Sequence, residues 1–280
     1  MDELPTPVLD NHMHLHPEGD GPEAAKAFAR AGGTHLLVVN RPSWHFVEDV
    51  SDVDAFRTTF ERTIELVEAS TNELPGRAWA VLGVHPVLLP RLVNDFGWSI
   101  EAASQLMRSG LDLAADFVAE GRALALKSGR PHFDVSDEIW AASNDVIRHA
   151  FELGAATDCA VQLHTESADD MTELADMAID TGLDPVRVVK HYASGPVAGV
   201  TPSVIARSDA IRAIRAVDDP FFLETDFLDD PSRPGAVLGP KVVPRRSRSL
   251  AAEGHIDVLE RAHVETPALV YGIDTRGTIE

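Results

Sequence analysis

VLDNHMHL, residues 8–15, is the stretch that decides how this chain is read. Apolar and polar residues alternate in it at the two-residue period of a β-strand, so His12 and His14 project to one side near the strand's carboxyl end. Neutral imidazole is a good ligand for first-row divalent ions. An isolated H-x-H is a weak signal, and it gains weight from four later apolar runs. Each of these also ends on a titratable side chain: Lys127 in ALALKSG, His164 in AVQLHTES, His191 in RVVKHYAS and Asp226 in FFLETDF.

Working outward from residues 8–15, seven more runs read as strands, at about 34–40, 78–85, 123–128, 159–165, 186–192, 200–206 and 221–227. The intervals are long enough for helices. EAAKAFARAG carries Ala and Phe at helical spacing before a Gly-Gly stop, and DAFRTTFERTIELVEAS repeats Phe56, Phe60, Ile64 and Leu66–Val67 on one face. Further helices are expected near 101–119, 137–153, 168–181 and 208–217. Strand–helix alternation implies a parallel sheet, and eight such units favour an α/β fold closed as a single-domain (β/α)8 TIM barrel over residues 1–280. In that architecture strand ends converge on one face, where residues remote in sequence meet. The Pro- and Gly-rich stretch from Asp229 to Arg248 reads as an active-face loop at about 228–248, and long loops at such positions are more often functional than decorative. Beyond it a packing helix and a final extended segment are expected; that segment becomes the eighth strand if 200–206 is only a loop.

Composition narrows the function classes. The formal net charge is −21, from 24 basic and 45 acidic residues, and only Lys26, Lys127, Lys190 and Lys241 are lysines. The acids are spread along the chain, which fits a general acidic coat of the kind found in cytoplasmic proteins of salt-loving archaea, where screening weakens self-repulsion. A nucleic-acid substrate would have to be held by metals and a local positive field, because the whole-protein field opposes it. Cys159 is the only cysteine, so no intrachain disulfide is possible, and a buried small side chain is its expected role. The start MDELPTPVLD lacks the basic and apolar regions of a signal peptide, and no run approaches a membrane span. The expectation is a soluble cytoplasmic protein with no membrane partner.

Taken singly, His164 and His191 each read as readily as ordinary hydrogen-bonded core residues. With the histidine pair and Asp226 they read as ligands, because a carboxylate at the end of a buried strand is costly unless it is paired, hydrogen-bonded or metal-bound. Asp226 could also take a proton from water. His16 continues the alternation of His12 and His14 but precedes Pro17, where the strand is expected to have ended.

D-x-H-x-H-L at Asp10–Leu15, Gly83-Val84-His85-Pro86, His164, His191 and Glu224-Thr225-Asp226 together resemble the TatD family of metal-dependent hydrolases, within the amidohydrolase superfamily, over about residues 8–227. The resemblance implies a TIM barrel, one or two divalent ions (zinc, manganese or magnesium) and hydrolysis, often of DNA ends in the 3′-to-5′ direction. The strand-end residues His12, His14, Lys127, His164, His191 and Asp226 then read as the ligand set, His12, His14 and Asp226 for one ion and His164 and His191 for the other, with Asp226 catalytic. His85 matches a family signature, and a substrate role or a structural role in the strand-to-loop turn are both open to it.

Lys127 departs from the pattern, since TatD proteins usually present a glutamate there. A protonated ammonium cannot bind a cation. Other members of the superfamily use a lysine on this strand, carboxylated by CO2, to bridge two metals, and a carbamate offers two anionic oxygens as glutamate does. An unmodified substrate-binding lysine beside one metal, or an inert lysine, remains open. Arg130, Lys241 and Arg245 are basic residues on expected active-face loops that could bind substrate phosphate; surface ion pairing is their other reading. The expected function is TatD-like hydrolysis of a phosphodiester, small or at a nucleic-acid end. A lactonase or cyclic-amide hydrolase of the same superfamily is the alternative, and a non-catalytic binding barrel the third.

Overall fold

Each expected strand forms, and every strand pairing is parallel. The computed structural model describes residues 4–230, 232 and 237–277. The strands are β1 (Leu9–His14), β2 (His35–Val39), β3 (Ala78–Gly83), β4 (Ala125–Gly129), β5 (Ala160–His164), β6 (Val188–Ala193), β7 (Thr201–Ile205), β8 (Phe222–Glu224) and β9 (Phe227–Leu228). Their order in the one sheet is β8-β7-β6-β5-β4-β3-β2-β1-β9. The two edges are therefore pieces of one run of chain, and the sheet curls until its ends approach through it.

The expected closed ring of eight becomes a TIM-barrel-like curl of nine strands. Asp226 adopts a left-handed φ of 49°, which ends β8 before the chain resumes as β9 beside Met13 and His14. No backbone ladder joins β8 to β1. Across that gap the Asp10 carboxylate accepts from Thr225 N at 3.1 Å and Thr225 Oγ1 at 2.8 Å.

The helices pack outside the curl: α1 (Pro22–Arg30), α2 (Val53–Thr71), α3 (Leu88–Asn94), α4 (Ile100–Ala119), α5 (Asp137–Ala156), α6 (Thr172–Thr181), α7 (Ser208–Ile214), α8 (Val242–Ala252), α9 (Ile256–Glu260) and α10 (Thr266–Tyr271). Asp52, Ser99 and Ser136 cap α2, α4 and α5 by accepting from Ala55, Ala102 and Ile139 N–H groups that have no intrahelical partner. Phe28, Phe56, Phe60, Phe117 and Phe151 fill the layer between helices and sheet with the outward residues Leu36, Val38, Leu82, Leu126 and Val161. Among the described residues no helix is long and apolar enough to cross a membrane.

A second, smaller cluster lies inside the curl. Leu37, Val81, Ala125, Ala160, Val189 and Phe222 form its floor, and Val270 of α10 packs into it with Tyr271 alongside. Above this floor, toward the strands' carboxyl ends, the interior turns polar. Asn11, Lys127, Gln162, Ser203 and Glu224 are buried there beneath the histidines. Register shifts between Asp10 and Met13, a bulge of the kind that re-aims side chains beside active sites. Gly83 and Gly129 flank Lys127 along the ladder; a Cβ at either would lie 1.9 Å from a neighbouring carbonyl, Lys127 O or His164 O.

Three further expectations change. The stretch assigned to the active-face loop is helical from Val242 onward. Pro244 falls in the first turn of α8, where its missing N–H has no intrahelical partner to lose. The final segment is not extended: α9 passes through a π-helical turn, Arg261–Glu265, into α10, which Gly272 ends at φ 68°. Helix α3 was not anticipated, and α6 starts at Thr172 rather than 168. Pro231 and residues 233–236 of the expected loop lie outside the described residues.

Candidate metal centre

Three imidazoles at the carboxyl ends of β1 and β6 are held with the same nitrogen outward. His12 Nδ1 meets Gln162 Oε1 at 2.8 Å, His14 Nδ1 meets the Val39 carbonyl at 2.8 Å, and His191 Nδ1 meets Glu224 Oε1 at 2.8 Å. All three partners are acceptors, so each Nδ1 carries the proton and each Nε2 presents its lone pair. Those lone pairs converge on Asp226 Oδ1, which lies 4.0 Å from His12 Nε2, 3.8 Å from His14 Nε2 and 4.0 Å from His191 Nε2.

This donor set fits a divalent cation. Two Nε2 atoms 2.0–2.1 Å from one tetrahedral ion would be about 3.3 Å apart, and His12 and His14 Nε2 are separated by 3.2 Å. Imidazoles that bind metals almost always donate the other ring N–H to an oxygen, as these three do. The electrostatics agree. Burial holds His12 and His14 well below the usual histidine range and lowers His191 to about 3, so the rings stay neutral. Burial raises the Asp226 carboxyl to about 6, with nearby His191 opposing the shift. Glu224 is likewise raised to about 8 by burial, against hydrogen bonds from Ser203 Oγ and Tyr192 N. The site is a buried set of lone pairs at the base of the barrel mouth.

Lys127 lies in the same interior, 2% exposed, and its amine makes no hydrogen bond or ion pair to a described residue. Burial lowers its amine to about 8, opposed by Asp226 and Glu224. His164 stands further out. Its ring is 5.5 Å from that of His191, and its Nε2 meets His132 Nδ1 at 3.0 Å. His12, His191 and Asp226 form the compact ligand group among the described residues; His14 lies beside it, with its Nε2 3.2 Å from that of His12, and His164 is not in it.

Above the group opens a cavity of about 570 Å³. His85 lines it, with its ring 4.8 Å from His164 and 5.7 Å from Trp44. Lys241 and Arg245 are exposed on α8 and do not line it. Arg130 is buried and committed elsewhere: its guanidinium donates to Glu166 (2.9 Å from Nε) and Asn144 (2.9 Å) and lies over the Trp140 ring. His16 is buried against Phe46, and its N–H donates to Asp229.

Sequence reasoning passed over several residues here. Arg41, Trp44, His45 and His132 line the cavity from loops that continue from β2 and β4, so their position just past strand ends was the available signal. Arg41 donates to Asp229 O and Asp230 Oδ2, which ties the loop after β9 to the loop after β2. Gln162 and Glu224, which orient two of the imidazoles, carried no signal of their own beyond Glu224's place in the Glu-Thr-Asp triplet.

The chain matches the family model "TatD related DNase" over residues 9–269. It is 34% identical to an uncharacterized protein of Methanocaldococcus jannaschii over 285 residues, 96% of each chain. Its fold is similar to that of a mutant organophosphorus hydrolase from Deinococcus radiodurans (TM-score 0.60, 14% identity, 95% of this chain and 93% of that one). It is also similar to a TatD-like protein from Archaeoglobus fulgidus (TM-score 0.56, 15% identity, 95% and 100% covered) and a lactonase from Listeria monocytogenes (TM-score 0.60, 13% identity, 98% and 95% covered). The structural likenesses speak for the fold alone. The family match, spanning nearly the whole chain and every strand end that bears a histidine, places this protein in the TatD-related DNase family and makes it a metal-dependent hydrolase.

Proposed function

We propose that this enzyme hydrolyses phosphodiesters, acting 3′-to-5′ at DNA ends, with His12, His14, His191 and Asp226 holding a divalent ion. The convergence of three oriented Nε2 lone pairs on Asp226 Oδ1 carries the reading. In it, Lys127 is carboxylated and, with His164, completes a two-ion centre of zinc, manganese or magnesium. Such ions, when bound, polarise the scissile bond and lower the pKa of water.

The chain's own groups do the rest. Asp226 Oδ1 accepts the proton of the attacking water, and its left-handed backbone aims it into the mouth. Trp44 offers a flat wall on which a terminal base can stack. The cavity, about 570 Å³, lies in the range of small-ligand pockets, which supports attack at a strand end rather than within a duplex. The −21 charge supports an intracellular, salt-adapted enzyme that leaves phosphate recognition to the metal centre.

A second reading, lactone or cyclic-amide hydrolysis, is favoured by one observation. The basic residues expected to hold phosphate are either outside the cavity (Lys241, Arg245) or paired with carboxylates (Arg130). The deciding experiment supplies the metal-free protein with Zn²⁺, Mn²⁺ or Mg²⁺ and offers end-labelled single-stranded DNA, lactones and cyclic amides in parallel. Release of mononucleotides from the 3′ end is expected. Turnover of lactones or amides without nucleotide release would overturn the phosphodiester reading in favour of the second.

A further inference from the structure

A buried hydrogen-bond chain runs from the C-terminal helix to both stacked histidines, His12 and His191, and its polarity is fixed from the Asn11 carbonyl as far as Ser203. Asn11 O is a backbone carbonyl and can only accept, so the group facing it at 3.1 Å is the Gln162 amide nitrogen. Gln162 Oε1 is thereby turned to His12 Nδ1 at 2.8 Å, which leaves that nitrogen as the donor. The same Gln162 nitrogen donates to Tyr271 Oη at 2.9 Å, so the phenol hydrogen goes to Asn11 Oδ1 at 3.0 Å. The Asn11 amide nitrogen then donates to Ser203 Oγ at 3.0 Å, and Ser203 donates onward to Glu224 Oε2. Glu224 Oε1 closes the chain on His191 Nδ1. The bulge in β1 makes this possible, since successive residues Asn11 and His12 both reach Gln162.

We infer that Tyr271 is a positioning residue of the metal centre: one hydroxyl on α10 accepts from Gln162 and donates to Asn11, and so braces the groups that hold the Nδ1–H tautomers of His12, through Gln162, and of His191, through Asn11, Ser203 and Glu224. The inference rests on the reading of these histidines as metal ligands. It gives a role to a helix that lies outside the strands bearing every ligand. Tyr271 reaches its place because Val270 and the Phe222 ring, 5.1 Å away, seat the last turn of α10 in the floor of the curl. Burial pushes the phenol upward, so it stays a donor across the working pH range. Orientation costs the ligands nothing further when a cation arrives, since each Nε2 is already bare. Loss of such outer partners weakens metal binding about 10–100-fold.

The test uses the full chain, Zn²⁺ as probe, and two variants. Gln162→Met keeps the shape without the amide; Tyr271→Phe keeps the ring without the hydroxyl. Leu269→Ser on the exposed face of α10 is the control. Zn²⁺ affinity is measured by competition with a chromophoric chelator. The tautomer of His12 is read by nitrogen NMR of the metal-free protein. Affinity should fall about 10–100-fold in Gln162→Met and about tenfold in Tyr271→Phe, with His12 shifting toward the Nε2–H form in Gln162→Met and to a smaller degree in Tyr271→Phe, where the Asn11 carbonyl still holds the Gln162 amide. The control should match wild type. A folded Tyr271→Phe protein with wild-type affinity and tautomer would overturn the inference, even if Gln162→Met failed to fold. Unchanged Zn²⁺ affinity in His12→Ala would instead defeat the metal reading itself, while the tautomer measurement still decides whether the chain orients His12.

Discussion

Lys127→Ala removes a buried side chain of the ligand cluster whose charge can invert. With its pKa lowered to about 8, roughly half of the amine is neutral at pH 8, against about 0.3% for an ordinary lysine of pKa 10.5. That is ~150-fold more of the only form that reacts with CO2. The reaction joins Nζ to the CO2 carbon and releases a proton, so a cation becomes an anion with two oxygen donors. Beside Asp226 and Glu224 such an anion is unfavourable without metal and favourable with two dications, so CO2 and metal loading should depend on each other. Lys127→Ala should therefore keep one ion per chain, lose the second and lose at least ~10²-fold in turnover, a loss the size of a missing catalytic group. Lys127→Glu should retain the second ion, and short carboxylic acids should partly restore the alanine variant. Elemental analysis counts the ions, and NMR with isotope-labelled bicarbonate detects the carbamate. An alanine variant with wild-type metal content, or an unmodified amine in fully loaded protein prepared with CO2, would refute the bridge.

Asp226→Asn should preserve the fold, because asparagine tolerates the left-handed φ of 49°, and should cut turnover about 10²–10⁴-fold, measured by steady-state kinetics. Near-normal turnover in a folded variant removes Asp226 as the proton acceptor. The double substitution His12→Ala, His14→Ala should lower both bound metal and hydrolysis; undiminished occupancy by elemental analysis would take this pair out of the site. The metal-free protein should be most stable near pH 6.5. Below that, histidines whose folded pKa values are lowered, among them His12, His14 and His191, bind fewer protons than in the unfolded chain, so stability rises with pH toward 6.5. Above it, Asp10 and Glu224, raised to about 8, hold protons that the unfolded chain has released, so stability falls up to pH 8 by at most ~4 kcal/mol for the two. Chemical unfolding across pH 5–8 checks the shape, and a steady rise through pH 8 would contradict it.

What the sequence made legible was whatever repeats at a local period. The apolar runs marked β1 to β8, and the H-x-H alternation put His12 and His14 on one face of β1. The break between β8 and β9 was hidden because FFLETDF keeps the strand pattern straight through the left-handed Asp226. The region of α8 looked like loop because its prolines were read as breakers, although Pro244 falls where a helix tolerates one. Val270 and Tyr271 looked extended by composition, and tertiary packing against Phe222 overrides that preference. Gln162 was invisible for a different reason. Its partners His12 and Tyr271 are 150 and 109 residues away, and one glutamine in an apolar strand has no periodic signature. Arg130 could be read as a phosphate ligand or an ion-pair partner, and its pairing with Glu166 from the next strand's loop is one that only the folded chain reveals.

The most direct test of the central claim is a crystal structure of the protein soaked with Mn²⁺ or Zn²⁺, with anomalous data collected to locate the ion. The expected result is an ion bonded to His12 Nε2, His14 Nε2, His191 Nε2 and Asp226, at about 2.0–2.2 Å if zinc, with each histidine Nδ1 still on its present acceptor. A fully occupied ion elsewhere on the chain, with those nitrogens unbonded, would contradict it.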